Sequence, residues 1–157
     1  MTNYICINGN KTELTEEQLR QLGIELPKAS PFAMERDKSY WFITSYGSLA
    51  NTNMNTNREY RHNAANYCTD KSIMEQRALH ETLNRLLWRY SMEKNGESSG
   101  TKYFISYNKF TKEIGVHEYT GALVAFGEIA FDTREIARNA IEEVINPFMA
   151  THPDFKF

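Results

Sequence analysis

The chain predicts an α+β fold in which duplicated β-hairpin–helix units form an antiparallel sheet covered by two helices, with a small hairpin–helix in front. Three observations predict it. A strand signature of aromatic, Phe, Ile and hydroxyl occurs twice, as Trp41-Phe42-Ile43-Thr44 and Tyr103-Phe104-Ile105-Ser106. A second short match follows each, Tyr67-Cys68-Thr69 and Phe131-Asp132-Thr133, and the offset stays at 62 to 64 residues, as a duplication would give. After each match, apolar residues recur at helical spacing.

The elements read in order as follows. Tyr4-Ile5-Cys6-Ile7 is strand-like, Asn8-Gly9 suits a tight hairpin turn, and Lys11 to Leu14 returns. Thr15 and Gln18 make a capping box for a short helix over Glu16–Leu22, which Gly23 ends in the left-handed conformation. Leu19, Leu22 and Ile24 are its expected buried side. Residues 1–37 form this appendage and a connector, in which Phe32 and Met34 are candidate anchors. Residues 38–157 form the main domain, with one repeat over 38–95 and the other over 101–148.

In the first repeat, a strand over Trp41–Tyr46 turns near Gly47-Ser48 and returns through Leu49. A long helix then spans about Asp70 to Lys94, with Leu79, Leu83, Leu86, Leu87 and Tyr90 on one face. Gly96 to Gly100 is a flexible link. In the second repeat, Lys102–Asn108 pairs with Ile114–Thr120, and a further strand is expected near Leu123–Phe126. The last helix is expected from Thr133 to Asn146, capped by Asp132 with Glu135 and stopped by Pro147. Ala137, Ala140, Ile141, Val144 and Phe148 form its face, and the alanines permit close approach to a sheet.

Composition narrows the function. At 157 residues and 41% hydrophobic, the chain can bury a core. A net charge of −2 gives no domain-wide basic excess that would advertise nucleic acid or an anionic membrane. Two cysteines far apart, Cys6 and Cys68, fit a reducing cytoplasm. No basic leader with an apolar stretch opens the sequence, and no apolar run approaches the roughly 20 residues that span a bilayer.

Catalytic motifs are not found. His62, His80, His117 and His152 are scattered and form no HxxxH, HExxH or Cys/His pattern. The glycines form neither a GxGxxG nor a phosphate loop. Neither a metal nor an organic cofactor is expected. Cys68 precedes a helix cap, where a thiol pKa can fall, but an inert thiol is the simpler assignment.

Two features stand out as binding candidates. The first is the polar stretch Ala50–Asn66, with Asn53, Asn55, Arg58, Tyr60 and Arg61. Loops beyond about 12–15 residues are uncommon and often functional. These side chains could meet nucleotides or a protein, and the alternative is a connector with a strand edge. The second is Trp88 with Met92, which lie opposite the leucine face of the long helix, on the side of Met74. The alternative is that the N-terminal hairpin–helix covers them.

The order NGN…ELTEEQLRQLGIEL…PF, SYWFITSYG, YCTDKSIMEQRALHETLNRLL, KYFISYN and FDTREIARNAIEEV resembles a widespread group of small phage and prophage proteins of Gram-positive bacteria. The resemblance spans nearly the whole chain, and its motifs are strand starts and helix caps. It implies an accessory phage product in the host cytoplasm that inhibits a bacterial defence system, for example as an anti-CRISPR protein, by binding a host effector protein. The residues themselves leave two alternatives: a single-strand nucleic-acid module using Tyr40-Trp41-Phe42 and Tyr103-Phe104, and a sponge for a signalling nucleotide with its pocket between the repeats.

Overall fold

The computed structural model describes residues 4–7, 10–24, 30–34, 38–96, 100–119 and 128–157. The expected turn at Asn8-Gly9, the linker Glu97-Ser98-Ser99, the strand near Leu123–Phe126 and parts of the Pro27–Asp37 connector lie outside the described residues. The chain divides into two compact units, Met1–Ala33 and Met34–Phe157. Strands and helices mix in an α+β architecture.

In the first unit, β1 (Tyr4–Ile7) pairs antiparallel with β2 (Asn10–Glu13). Helix α1 (Glu16–Gln21) starts at the expected capping box: the Gln18 amide donates to Thr15 Oγ1 at 3.3 Å, and the Thr15 amide donates to Gln18 Oε1 at 2.9 Å. Gly23 ends the helix at φ +72°, as its position predicts. Leu19 is buried, but Leu22 and Ile24 are exposed. A six-residue helix makes under two turns, so a single position faces inward. Phe32 and Met34, the candidate anchors of the connector, are also exposed.

The second unit contains β3 (Tyr40–Ile43), β4 (Leu49–Thr52), α2 (Arg58–Asn63), α3 (Lys71–Lys94), β5 (Lys102–Asn108), β6 (Glu113–Tyr119) and α4 (Arg134–Ala140). A π-helical turn (Ile141–Ile145) then leads into α5 (Asn146–Thr151). Strand β3 pairs with β4 and β5 with β6, both antiparallel. Among the described residues the two hairpins form separate two-stranded sheets and do not pair edge to edge, one of the arrangements the sequence leaves open.

The outer edge of the first strand of each hairpin is used locally. Trp41 and Cys68 exchange backbone hydrogen bonds of 2.7 and 3.1 Å, and Tyr103 and Phe131 exchange two of 2.9 Å. Each bridge ties the first strand to the segment entering the next helix. Helix caps follow two residues later: Asp70 accepts from the Ser72 and Ile73 amides, and Thr133 accepts from the Ile136 amide. Geometrically, Cys68 therefore corresponds to Phe131 and Asp70 to Thr133, one residue away from the pairing read in sequence. Asp132 is not a cap. Its carboxylate accepts the Gly96 amide at 2.7 Å and pairs with the Lys102 ammonium.

Helix α3 carries two apolar sides. Leu83, Leu87 and Tyr90 join Phe131, Ala137, Ala140, Ile145, Phe148 and Phe155 in the larger core. Met74 joins Ile43 and Cys68 in a smaller one. Met74 and Leu83, nine residues apart, lie about 180° apart around a helix of 3.6 residues per turn. The C-terminal tail is held to α3 by Gln76, whose amide donates to the Asp154 carbonyl at 2.8 Å and accepts the Lys156 amide at 2.9 Å.

Pro147 does not stop the last helix. It lies inside a continuous helical run from Arg134 to Thr151. Proline lacks the amide for the usual i→i−4 bond, and its ring crowds that carbonyl. The wider π turn just before it accommodates both defects.

The Asp70 cap makes stability pH-dependent. Hydrogen bonds from the Ser72 hydroxyl and the Ile73 amide hold its carboxyl below the ordinary value. A depressed folded pKa stabilises above the unfolded value of about 3.9, and that contribution is lost as pH falls through the folded value. Asp70→Ala should lower Tm at pH 7 in a thermal melt, and the gap to wild type should close below about pH 4.

Candidate functional site

The polar stretch Ala50–Asn66 is more ordered than a bare loop. Its first residues belong to β4 and its later ones to α2. Arg58 is 3% exposed. Its guanidinium donates to the carbonyls of Lys38 (3.2 Å) and Asn53 (3.0 Å) and lies 5.2 Å from the Tyr40 ring centre. Arg61 donates to the Tyr40 hydroxyl at 2.9 Å and sits 3.5 Å above the Phe42 ring centre. Both arginines hold the hairpin to α2. Asn55 contributes its carbonyl to the Arg58 amide at 3.1 Å. Only the side chains of Tyr60, Asn53 and Asn55 among these candidates are turned to solvent.

Asn66 explains part of the asparagine content. Its side chain accepts the Ile43 amide at 2.8 Å and donates to the Ile43 carbonyl at 2.7 Å. It thus substitutes for a strand residue at the edge of β3. Asn95 does the same in the second half, donating to the Ala130 carbonyl at 2.8 Å and accepting the Asp132 amide at 2.9 Å.

Three of the strand aromatics that could stack on bases carry the chain's own cations. Arg61 lies over Phe42, Lys71 lies 5.4 Å from Trp41, and Arg134 lies 5.7 Å from Tyr103. Tyr40 is fully buried and stacks on Tyr67 at 4.7 Å.

On α3, Trp88 is 58% exposed and Met92 is 65% exposed. They continue the Met74 side, since Met92 falls on the same line as Met74 and Trp88 about 40° from it. Met74, however, is fully buried by the β3–β4 hairpin, contrary to a stripe exposed throughout. The hairpin turn lies against Arg85. A Cβ built on Gly47, at the hairpin turn, would lie 2.9 Å from the Arg85 guanidinium. The turn also has φ +81° at Gly47, a conformation that favours glycine. Trp88 is one helical turn beyond Arg85, and Tyr46, 94% exposed, sits in that hairpin turn.

No family model, curated protein or solved structure matches the chain.

The sequence reading missed the two most exposed aromatics, Tyr46 and Phe110. Phe110 is 96% exposed between Lys109 and Lys112 in the β5–β6 turn. That turn is well fixed: Asn108 Oδ1 accepts the Phe110 amide at 2.9 Å, and Lys112 has φ +62°. The available signal was an aromatic in a turn position, where Gly, Asn, Asp and Ser dominate.

The remaining candidates are structural in their contacts. Burial pushes the Cys68 thiol up, which disfavours the reactive thiolate. Among the described residues no group of His, Cys, Asp and Glu could hold a metal ion. His62 packs edge-on to Tyr67, and His80 packs on Phe155. No helix among the described residues is long and apolar enough to cross a membrane.

These contacts separate the loop residues by role. Arg58→Ala and Asn66→Ala should each lower unfolding free energy by about 1–3 kcal/mol in urea melts, because each leaves part-buried polar groups unpaired. Tyr60→Ala should stay within about 0.5 kcal/mol of wild type.

Proposed function

We propose that the protein is a non-enzymatic inhibitor that binds another protein through the C-terminal half of α3, with an effector of a bacterial defence system as its target. One observation carries the binding surface. Trp88 and Met92 are exposed on the same helix stripe whose N-terminal half is buried under the β3–β4 hairpin. An exposed Trp beside Met, on a helix fixed from its opposite side, is a preorganised anchor. Anchors of this kind dominate many protein interfaces. Arg85, against the Gly47 turn, continues the same stripe toward the hairpin.

The target class rests on the likeness of the strand and cap motifs to phage proteins, with an anti-CRISPR role as its concrete form. The protein-binding reading is preferred to single-strand nucleic acid because the ring faces of Trp41, Phe42 and Tyr103 are already met by Lys71, Arg61 and Arg134. Base stacking would have to displace those cations.

We also propose that the hairpin–helix units arose by duplication. What supports it is the shared order of hairpin, edge bridge and helix cap, with Trp41–Cys68 and Asp70 in one unit and Tyr103–Phe131 and Thr133 in the other.

Affinity purification of the tagged protein from a host carrying CRISPR and other defence operons tests the function. A stoichiometric defence effector should co-purify, and Trp88→Ala should weaken it by about 2 kcal/mol or more while leaving Tm unchanged. Retention of the effector by Trp88→Ala would move the interface elsewhere, and recovery of no effector would remove the proposed role.

A further inference from the structure

A groove of about 470 Å³ runs between α3 and the π turn with α5. It lies on a different side of α3 from Trp88 and Met92. We infer that this groove binds a small ligand with an apolar body and a protonated amine. Its volume falls in the range of small-molecule sites.

The apolar part of the wall comes from Leu86, Val144, Pro147 and Phe148. Pro147 forms part of it, and the π turn lies just before this proline. Glu143 and Val144 of the π turn line the groove, and π turns are frequent at functional sites.

The charge of the groove selects the ligand's head. Glu93 and Glu143 face it with one guanidinium, Arg89, which leaves a net negative charge with histidine neutral. Neither glutamate is taken up in an ion pair among the described residues. Both glutamates are exposed and within reach of a ligand, and Glu143 also accepts a hydrogen bond from the Tyr90 hydroxyl. Glu143 also faces Tyr90, whose phenol is pushed up by burial and by that carboxylate. His152 is turned away from this role: its ring stacks on Phe148 at 4.3 Å, and Nδ1 lies 2.9 Å from the Phe148 carbonyl oxygen. A cation is therefore preferred to an anion, while the apolar body lies on Val144, Pro147 and Phe148.

The test uses two probes with the same body and opposite charge, 4-phenylbutylamine and 4-phenylbutyrate, titrated into the full chain and followed by amide NMR shifts. The amine should bind and move the resonances of Leu86, Val144 and Phe148. The double variant Glu93→Gln, Glu143→Gln changes only exposed groups and should weaken the amine about tenfold, the scale of one lost charge-assisted contact. Equal or tighter binding of the carboxylate would overturn the inference, as would amine binding unaffected by the double variant. Absence of groove shifts with either probe at millimolar concentration would also overturn it. None of these outcomes bears on the Trp88 surface, because capture of a protein partner is read separately and from another side of α3.

Discussion

The second unit depends on one helix that must be buried on two opposite sides at different heights. Helix α3 gives Met74 to the β3–β4 hairpin near its start and Leu83, Leu87 and Tyr90 to the larger core further on. Neither hairpin could stand alone, since a two-stranded ribbon is at best marginally stable in water. Helix α3 covers the first hairpin, and α4, packed on α3, covers the second, so each hairpin buries one face without the two ribbons pairing. The strand bridges then fix where each hairpin meets the chain: Trp41 with Cys68 sets the entry to α3, and Tyr103 with Phe131 sets the entry to α4. Ala137 and Ala140, both fully buried, keep α4 close to its neighbours.

This arrangement also limits cover. The stripe from Met74 to Met92 runs about 27 Å at 1.5 Å per residue. A four-residue strand such as β3 spans only about 13 Å. The hairpin turn at Gly47 lies against Arg85, and Trp88 and Met92 beyond it are exposed. The exposed end of the stripe therefore follows from strand length and needs no special local conformation.

Much of this was legible in the sequence. The Thr15 and Gln18 capping box, the Gly23 stop, the leucine face of α3 and both main-unit hairpins follow from spacing and residue type, because each is decided within a few residues. What was not legible depends on partners far along the chain. Asp132 looks like a cap from its neighbours, but Lys102 and the Gly96 amide claim its carboxylate. Asn66 looks like one of many polar loop residues, and only the position of Ile43 makes it a substitute strand edge. Arg58 and Arg61 read as candidate contacts for a partner, yet tertiary placement spends them on Tyr40 and Phe42. Pro147 reads as a stop because the local rule is sound. The rule is overridden because burying Phe148 and Ile145 requires the helix to continue.

The exposed end of α3 has no evident structural use for its residues. That part of the helix is already held by Leu87, Tyr90 and Ser91 on the buried side. A charged or polar residue at position 88 would suit a solvated helix face better than an indole, which leaves a large apolar surface in water. The same holds for Tyr46 and Phe110 in hairpin turns, where a polar residue would serve the turn as well. Single exposed apolar residues are ordinary, so Phe110 alone argues little. Trp88 and Met92 are different because they are adjacent on one stripe and are carried by a rigid element, with Tyr46 in the turn that reaches it. Burial by another protein would recover the hydrophobic free energy that folding leaves unused there, which is the physical basis for reading this half of α3 as an interface.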